Sequence, residues 1–294
     1  MKKTLFVLLG FVLLSASGCR QLQMPGDFTC TTNDSAITII DYTGHLGVVT
    51  IPNAINGMPV TSIGSNAFCA CYSLTSVTLP DSVTSIEEKA FLGCTNLTSI
   101  TIPSSVTNIK RSAFEECTSL TGITVNVGNP VYSSADGVLF NTNQAKLIQC
   151  PTGKAGSYMI PSGVTCIGEN AFDRCTRLTN ITIPDSVTLI GNRAFNFCTR
   201  LTSITIPDGV TSIGRQAFFS CDSLTNITIP DVSIDKQTFE NCSNLTYITI
   251  GSTSIWDNAF MSCSNSYPSL GNGIRGAWDP RVPGIREAGP KNNK

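Results

Sequence analysis

Residues 201–221 read LTSITIPDGVTSIGRQAFFSC, and variants of this phrase recur along most of the chain. Close copies occupy residues 74–94, 97–117 and 178–198, and two further copies are shortened by two residues after the strand. The phrase ends in AFxxC or a close variant, and this ending occurs eight times, mostly at spacings of 21 or 23 residues. Its final cysteines are Cys71, Cys94, Cys117, Cys175, Cys198, Cys221, Cys242 and Cys263. Self-similarity at this period predicts a solenoid in which each repeat forms one coil.

The phrase also predicts the path of each coil. Ile204 and Ile206 alternate with Ser203 and Thr205, which is the two-residue period of a strand with one buried face. The proline that follows ends the strand, because it cannot donate a ladder hydrogen bond. VTSI predicts a second short extended segment, and AFxxC predicts one helical or 3₁₀ turn with its apolar residues inward. The predicted fold class is therefore α/β and β-rich: a right-handed solenoid with one short parallel strand and one short helical turn per repeat.

The phrase IPxxVTxIGxxAFxxC resembles the BspA-like family of leucine-rich repeats, which are bacterial surface proteins. The resemblance covers about residues 28–263 and implies a leucine-rich-repeat solenoid over residues 28–264. Its first coil, which contains TIIDYTGHLG, would cap one end of the core. The resemblance also implies a non-enzymatic cell-surface protein that binds or adheres to protein or glycan ligands.

Two segments depart from the period. The interval between Cys117 and Cys175 is too long for one coil, and residues 126–160 contain the apolar runs VLF and LIQ, separated by polar NTNQAK. We predict an insertion there, in the form of a hairpin or an enlarged loop. After Cys263 the sequence is rich in proline and glycine and has no period. Residues 265–294 are therefore predicted to form an irregular tail.

The beginning of the chain has the features of a secretory signal. Lys2 and Lys3 precede the apolar run LFVLLGFVLLSAS, and small residues lead to Cys19. The ending ASGC also resembles a bacterial lipobox, in which the cysteine receives a diacylglycerol and becomes the mature amino terminus. The alternative is ordinary cleavage near Gly18, which would leave Cys19 as an unmodified thiol.

Lipidation at Cys19 predicts two segments: a lipoprotein signal peptide at residues 1–18 and a lipid-anchored tether at residues 19–27. The chain would then be exported and held in the cell envelope. Arg20 stands where an aspartate would favour the inner membrane. By resemblance to Gram-negative sorting, the protein is therefore expected at the outer membrane or the cell surface.

Composition argues against several functions. Charged residues make up 13% of the chain and the formal net charge is −1, so the sequence has no basic footprint for nucleic acid. His45 is the only histidine and lies in a YTGHLG turn, where a catalytic triad is unexpected. No phosphate-binding, dinucleotide or zinc-protease motif is present, and the acidic residues look scattered. We predict no enzyme, no cofactor and no metal site; a hydrolase site in the 126–160 insertion is a remote alternative.

The eight repeated cysteines are predicted to be structural buried thiols. Equivalent positions in successive coils lie about 4.8 Å apart. Disulfides need Cβ atoms about 3.5–4.5 Å apart and zinc needs convergent sulfurs, so a column of cysteines suits neither. Three cysteines outside this column, Cys30, Cys150 and Cys166, remain candidates for a disulfide, and the sequence does not pair them.

The outward residues of the strands form the candidate binding surface. Their simplest interpretation is a solubilising ladder of hydroxyl groups, since threonine suits exposed strands. The functional interpretation is a broad platform for a glycan or an extended protein. Two arginines at equivalent positions, one coil apart, would repel each other unless an anion lay between them. The predicted ligand-binding residues are Arg177, Arg200, Asn180, Ser203, Thr182, Thr205 and Tyr247.

These patterns lead to one functional hypothesis and one main alternative. The hypothesis is a monomeric cell-surface binding or adhesion protein, whose partners are an extracellular or envelope protein or glycan and, through its lipid, the membrane. The alternative is a structural or assembly lipoprotein that contacts other components of the envelope.

Overall fold

The computed structural model describes residues 12–14, 20–23, 27–33, 35–250, 259–263 and 269–270. The chain divides into two compact units, unit 1 (Met1–Val131) and unit 2 (Tyr132–Lys294). Cys19 and most of the 265–294 tail lie outside the described residues. Within these residues, no helix is long and apolar enough to cross a membrane.

Unit 1 contains two sheets. Its strands are β1 (Val12–Leu14), β2 (Arg20–Gln23), β3 (Phe28–Thr32), β4 (Ile37–Tyr42), β5 (Val48–Thr50), β6 (Ala54–Ile55), β7 (Met58–Ile63), β8 (Ser76–Thr78), β9 (Ser85–Ile86), β10 (Ser99–Ile102), β11 (Asn108–Ile109) and β12 (Gly122–Val125). One sheet has the order β1-β2-β3-β4-β7-β9-β11, with β6 paired to β7, and the other has the order β12-β10-β8-β5. The second sheet is entirely parallel and is built from the LTSxT-type segments together with the VVT segment of the first coil.

Unit 2 also contains two sheets. Its strands are β13 (Tyr132–Ala135), β14 (Val138–Asn141), β15 (Lys146–Gln149), β16 (Gly156–Met159), β17 (Cys166–Ile167), β18 (Leu178–Thr182), β19 (Leu189–Ile190), β20 (Ser203–Thr205), β21 (Ser212–Ile213), β22 (Asn226–Ile229), β23 (Tyr247–Ile250) and β24 (Ser269–Leu270). The first sheet has the order β13-β14-β15-β17-β19-β21, and the second has the order β16-β18-β20-β22-β23-β24.

Repeated segments pair with their equivalents in the next coil. Ile204 pairs in parallel with Ile227, and Ile190 pairs with Ile213 in the other sheet. The prediction of one parallel strand per repeat is therefore confirmed, and the VTxI segments form a second parallel ladder. The inward residues of both ladders are buried.

The predicted helical turn is wrong. Among the described residues no helix occurs, and the AFxxC segments form consecutive turns. Arg193 and Phe197 have positive φ angles of 54° and 53°, which a right-handed helix cannot accommodate. The N–H groups of Phe195 and Phe197 point to the next coil and donate to the carbonyls of Ala217 and Phe219, at 2.7 and 2.8 Å. AFxxC is thus a corner that hydrogen-bonds from coil to coil.

The phenylalanine of each AFxxC forms the centre of the core. In unit 2, the ring of Phe195 lies 5.0 Å from Phe172 and 4.9 Å from Phe218, and these pairs are nearly parallel. In unit 1, Phe91 lies 5.0 Å from Phe68 and 5.7 Å from Phe114. All these rings are fully buried. A single coil exposes its rings above and below, so burial requires neighbouring coils in each unit.

Threonine hydroxyls link the coils on the surface. The hydroxyl of Thr202 donates to the carbonyl of Thr179 at 3.1 Å, and that of Thr225 donates to Thr202 at 3.2 Å. A second column after the buried valine repeats this contact, since Thr188 donates to Thr165 at 3.3 Å. The threonines of LT and VT thus make a backbone contact to the preceding coil from exposed positions.

The insertion is a small antiparallel meander within unit 2. The VLF run lies in β14 and the LIQ run in β15, and these two strands pair antiparallel. β15 then pairs in parallel with β17 and so continues the ladder of the VTxI segments. Val138, Phe140 and Leu147 are fully buried and belong to the core of unit 2. The meander therefore contributes to the core, which a loop that only projected from the surface would not do.

Candidate binding surface

The outer strand face of unit 2 comprises the outward residues of β16, β18, β20, β22 and β23. Alternation places Tyr158, Ile181, Ile204, Ile227 and Ile248 inward, where they are buried. The residues on either side of each must then point outward. Parallel pairing keeps equivalent residues in line across the strands.

Two rows of exposed side chains result. The first row is Ser157, Asn180, Ser203 and Asn226. The second row is Met159, Thr182, Thr205, Thr228 and Thr249. Tyr247 pairs with Asn226 and so continues the first row along the backbone, but its side chain lies outside the described ones. Amide and hydroxyl groups dominate this surface, and each can donate and accept hydrogen bonds.

Arg177 and Arg200 lie where the chain turns into β18 and β20. Equivalent turns hold them: Leu178 N donates to Cys175 O at 3.2 Å, and Leu201 N donates to Cys198 O at 3.1 Å. Both arginines are exposed. The two arginines therefore occupy equivalent backbone positions at the start of adjacent strands.

Other coils show what this position does in the fold. Asn96 occupies it in unit 1 and donates from Nδ2 to Tyr72 O at 2.7 Å. Asn244 does the same in unit 2, donating to Asp222 O at 2.7 Å. A short amide therefore caps a carbonyl of the preceding coil at this position. The fold does not require a long cationic side chain there.

The remaining arginines of these coils have other partners. Arg193 Nε donates to Gln216 Oε1 at 2.8 Å, and Arg215 Nη2 donates to Gln237 Oε1 at 2.6 Å. Arg174 lies over the ring of Phe197, 5.0 Å from its centroid. These contacts surround the AFxxC corner, whereas Arg177 and Arg200 adjoin the outer strand face.

Acidic residues at the far end of the strands were missed by the sequence analysis. Asp185, Asp208 and Asp231 each follow the proline that ends a strand, in three successive coils, and all are exposed. The recurring tripeptide IPD was the available signal. The outer strand face therefore has two arginines at its strand-start edge and three aspartates at its strand-end edge.

The column cysteines are more than apolar fillers. Cys94 Sγ donates to Phe68 O at 3.0 Å, and Cys198 Sγ donates to Phe172 O at 3.2 Å. The same contact recurs at Cys117, Cys221, Cys242 and Cys263. Each of these phenylalanine carbonyls therefore accepts two donors. One is the backbone N–H of the cysteine in its own AFxxC segment, and the other is the thiol of the cysteine in the next coil. Burial raises the pKa of Cys198 well above its ordinary value.

Six of the eight column cysteines are fully buried. The prediction of a buried thiol is wrong for Cys71 and Cys263, which are half-buried. They belong to the first and last AFxxC copies of the sequence, so each has such a copy on one side only. Cys175 is the first AFxxC cysteine of unit 2, but unlike Cys71 it is fully buried, because the inserted coil covers it at Cys150.

The three cysteines proposed for a disulfide are thiols in the described part of the chain. Cys30 is buried in β3, and this burial raises its pKa to about 11. Cys150 is also buried, and its N–H donates to Ala171 O at 2.7 Å. Cys166 is half-buried and lines an open groove of about 280 Å³ together with Lys146 and Leu189.

Two further sequence-level candidates can be placed. His45 is exposed, in the irregular segment between β4 and β5. Across the described residues, no group of three or more histidine, cysteine, aspartate or glutamate side chains could hold a metal ion.

Stacked coils of 21 to 23 residues, with a parallel strand in each, define a leucine-rich-repeat solenoid protein of the bacterial surface-protein type. The chain belongs to the BspA type leucine rich repeat family. The family model matches residues 42–155 and 150–267, in six copies. Comparison with curated proteins gave no significant match.

Solved structures share the fold. A leucine rich cell surface protein from Faecalibacterium prausnitzii A2-165 is 28% identical, with a TM-score of 0.61, over 85% of this chain and 95% of that one. A leucine-rich repeat protein from Eubacterium ventriosum is 24% identical, with a TM-score of 0.63, over 89% and 84%. The pneumococcal vaccine antigen PcpA is 19% identical, with a TM-score of 0.53, over 90% and 88%. The last two likenesses concern the fold alone.

Proposed function

We propose that this chain is an exported, lipid-anchored protein of the cell surface that binds protein or glycan ligands through the outer strand face of unit 2. It performs no catalysis. One observation carries the proposal: two aligned rows of exposed side chains, all amides or hydroxyls except Met159, cross four and five parallel strands whose opposite residues form the core. Such a face is rigid because the core fixes its backbone, and rigid placement lowers the entropic cost of binding.

The proposed location rests on the lipobox resemblance at Cys19 and on a similar protein described as a cell surface protein. In cells grown with a labelled fatty acid, the wild-type chain should carry the label, and Cys19→Ala should not. Ordinary cleavage near Gly18 would leave both chains unlabelled, and that result would remove the lipid anchor from the proposal.

Exposure separates the binding role from an envelope assembly role. Protease added to intact cells should degrade the chain if it faces outward. A chain that stays whole on intact cells, but is cut after lysis, would instead support the structural or assembly alternative.

Blocking the face tests the binding surface itself. Thr182→Tyr with Thr205→Tyr places two bulky rings on adjacent strands of the outer strand face. Leu189→Tyr with Ser212→Tyr does the same at exposed positions of the other sheet. In pull-downs from surface extracts with full-length protein in detergent, the first pair should lose the captured partners and the second should keep them. Equal capture by both variants would contradict the proposed surface.

A further inference from the structure

The chemistry of the outer strand face narrows the class of ligand. In the described part of the face, Met159 is the only apolar side chain in either row, and the others are serine, asparagine or threonine. Protein partners usually bind through a few large aromatic or apolar anchors. Short polar groups repeated on every strand, about 4.8 Å apart, match a partner with many hydroxyl groups instead. This favours a polysaccharide over a protein.

The two edges of the face differ in charge, although the half-buried Asp222 lies in the turn that follows the arginine turns at the strand-start edge. Arg177 and Arg200 stand at the strand-start edge, and Asp185, Asp208 and Asp231 stand at the strand-end edge. β18 (Leu178–Thr182), which lies between Arg177 and Asp185, already spans about 13 Å from its first to its last residue. This exceeds the Debye length of about 8 Å at physiological ionic strength, so the charges of the two edges are largely screened from each other. An anionic chain is attracted to one edge and repelled from the other.

The arginines are not needed by the fold at their position. Equivalent coils place Asn96 and Asn244 there, and each caps a carbonyl of the preceding coil. Arg177 and Arg200 replace this cap in two adjacent coils and carry their charges into solvent. Exposed like charges one coil apart cost stability, and an anion between them offsets that cost.

We propose that this face binds an acidic polysaccharide that runs across the coils along the strand-start edge. Its carboxylate or sulfate groups pair with Arg177 and Arg200, and its hydroxyl groups bond to Asn180 and Ser203. The aspartates confine the chain to this edge. The inference rests on the proposed function and specifies the ligand of the same surface.

The test uses full-length protein in detergent and four polymer probes: polygalacturonate, dextran sulfate, neutral dextran and polyglutamate. Wild-type protein should bind at least one of the two acidic polysaccharides, less tightly as salt rises, and should ignore neutral dextran. Arg177→Gln with Arg200→Gln should weaken that binding by roughly tenfold for each arginine. Arg193→Gln with Arg215→Gln removes the same total charge from the AFxxC corner and should leave the affinity within about twofold.

Several results would overturn the inference. These are no binding of either acidic polysaccharide by wild-type protein, equal losses in the two double variants, or polyglutamate binding as tight as that of the polysaccharides. Both variants must first show the wild-type thermal transition, and a variant that does not is replaced by its single substitutions. Failure here is distinct from failure of the proposed function. A wild-type chain that captures a surface partner through the face, yet binds neither acidic polysaccharide, overturns this inference alone.

Discussion

The ring of Tyr158 lies 6.0 Å from the ring of Phe172 and heads the column of phenylalanines in unit 2. Cys150 explains why a tyrosine is there. Its N–H donates to Ala171 O, just as Phe172 N–H donates to Ala194 O, so Cys150 occupies the backbone position of the AFxxC phenylalanine in the inserted coil. Cysteine is too small to cover Phe172, and the ring of Tyr158, which comes from β16, covers it instead.

Tyr158→Phe should leave unit 2 as stable or make it more stable. The hydroxyl of Tyr158 is buried without a hydrogen-bond partner, and an unsatisfied buried polar group costs about 1–3 kcal/mol. Tyr158→Ala should instead cost about 3–5 kcal/mol, because it opens a cavity beside Phe172. Urea unfolding followed by circular dichroism measures both. A Tyr158→Phe chain less stable than wild type by more than about 1 kcal/mol would mean that the hydroxyl makes a hydrogen bond.

Phe195→Ala and Thr205→Ala test which residues face inward. Phe195 is fully buried between two other rings, so its removal should cost about 3–5 kcal/mol. Thr205 is exposed on the outer strand face, and its removal should change stability by no more than about 0.5 kcal/mol. Equal effects in urea unfolding would contradict the assignment of inward and outward residues.

Stability should fall at alkaline pH. Burial raises the pKa of Cys30 to about 11, and burial is also the main reason that the pKa of Cys71 rises to about 12, from an ordinary value of 9.0. An acid whose pKa is raised by folding contributes stability below its unfolded pKa and loses it as the pH rises through its folded pKa. The free energy of unfolding should therefore fall from about pH 9 towards pH 11 for Cys30.

The Cys30→Ala variant should show a shallower alkaline decline than wild type. Cys69→Ala, which removes an exposed thiol of the same unit, serves as its control. Urea unfolding provides the measurement, at about pH 7, 9 and 10, which lie on either side of the ordinary thiol pKa. An identical decline in wild type and Cys30→Ala would show that this buried thiol does not contribute.

The sequence predicted the strands and their parallel stacking because the alternation of Ile204 and Ile206 with polar neighbours survives in every close copy. It did not predict the AFxxC corner. The left-handed residues there are often not glycine: Lys89, Arg193 and Gln216 all have positive φ angles. Contacts between coils impose this conformation, so the local sequence shows no sign of it.

The candidate surface was predictable only in part. Exposed rows follow from strand alternation, which is a local property. The aspartate edge depends on aligning three successive IPD tripeptides, and a sequence scan for paired catalytic carboxylates passes over it. The thiol contacts, such as Cys198 to Phe172, join residues 26 positions apart and depend on the stacking distance of the coils.

Close packing surrounds Gly191, which follows VTLI in unit 2, although Glu87 and Lys110 hold the equivalent position in unit 1. An added Cβ at Gly191 would lie 2.7 Å from the backbone of Glu169 and Gly168, and its φ angle is not positive. Gly191→Ala should therefore destabilise unit 2 by about 1–3 kcal/mol. Gly163→Ala meets nothing within 4 Å and should be neutral or stabilising by up to about 1 kcal/mol. Thermal unfolding of the two variants decides, and similar melting temperatures would contradict the packing argument.

The coil that contains Gly209 lacks a hydrogen bond that the preceding coil has. Ser186 Oγ donates to Val164 O at 2.7 Å, and Ser105 makes the equivalent bond in unit 1. Gly209 holds this position in the next coil, where an added Cβ would lie 3.7 Å from Val187 O, the equivalent acceptor.

Gly209→Ser should therefore stabilise unit 2. Its hydroxyl can reach Val187 O for about 0.5–1.5 kcal/mol, and the loss of glycine adds about 0.4–1 kcal/mol through the unfolded state. Gly209→Ala gains only the second contribution, and both variants meet the carbonyl of Asp185, 3.1 Å from the new Cβ, in the same way. The difference between the two variants in urea unfolding thus isolates the hydroxyl. If serine is no more stabilising than alanine, the serine column does not hold adjacent coils together through this bond.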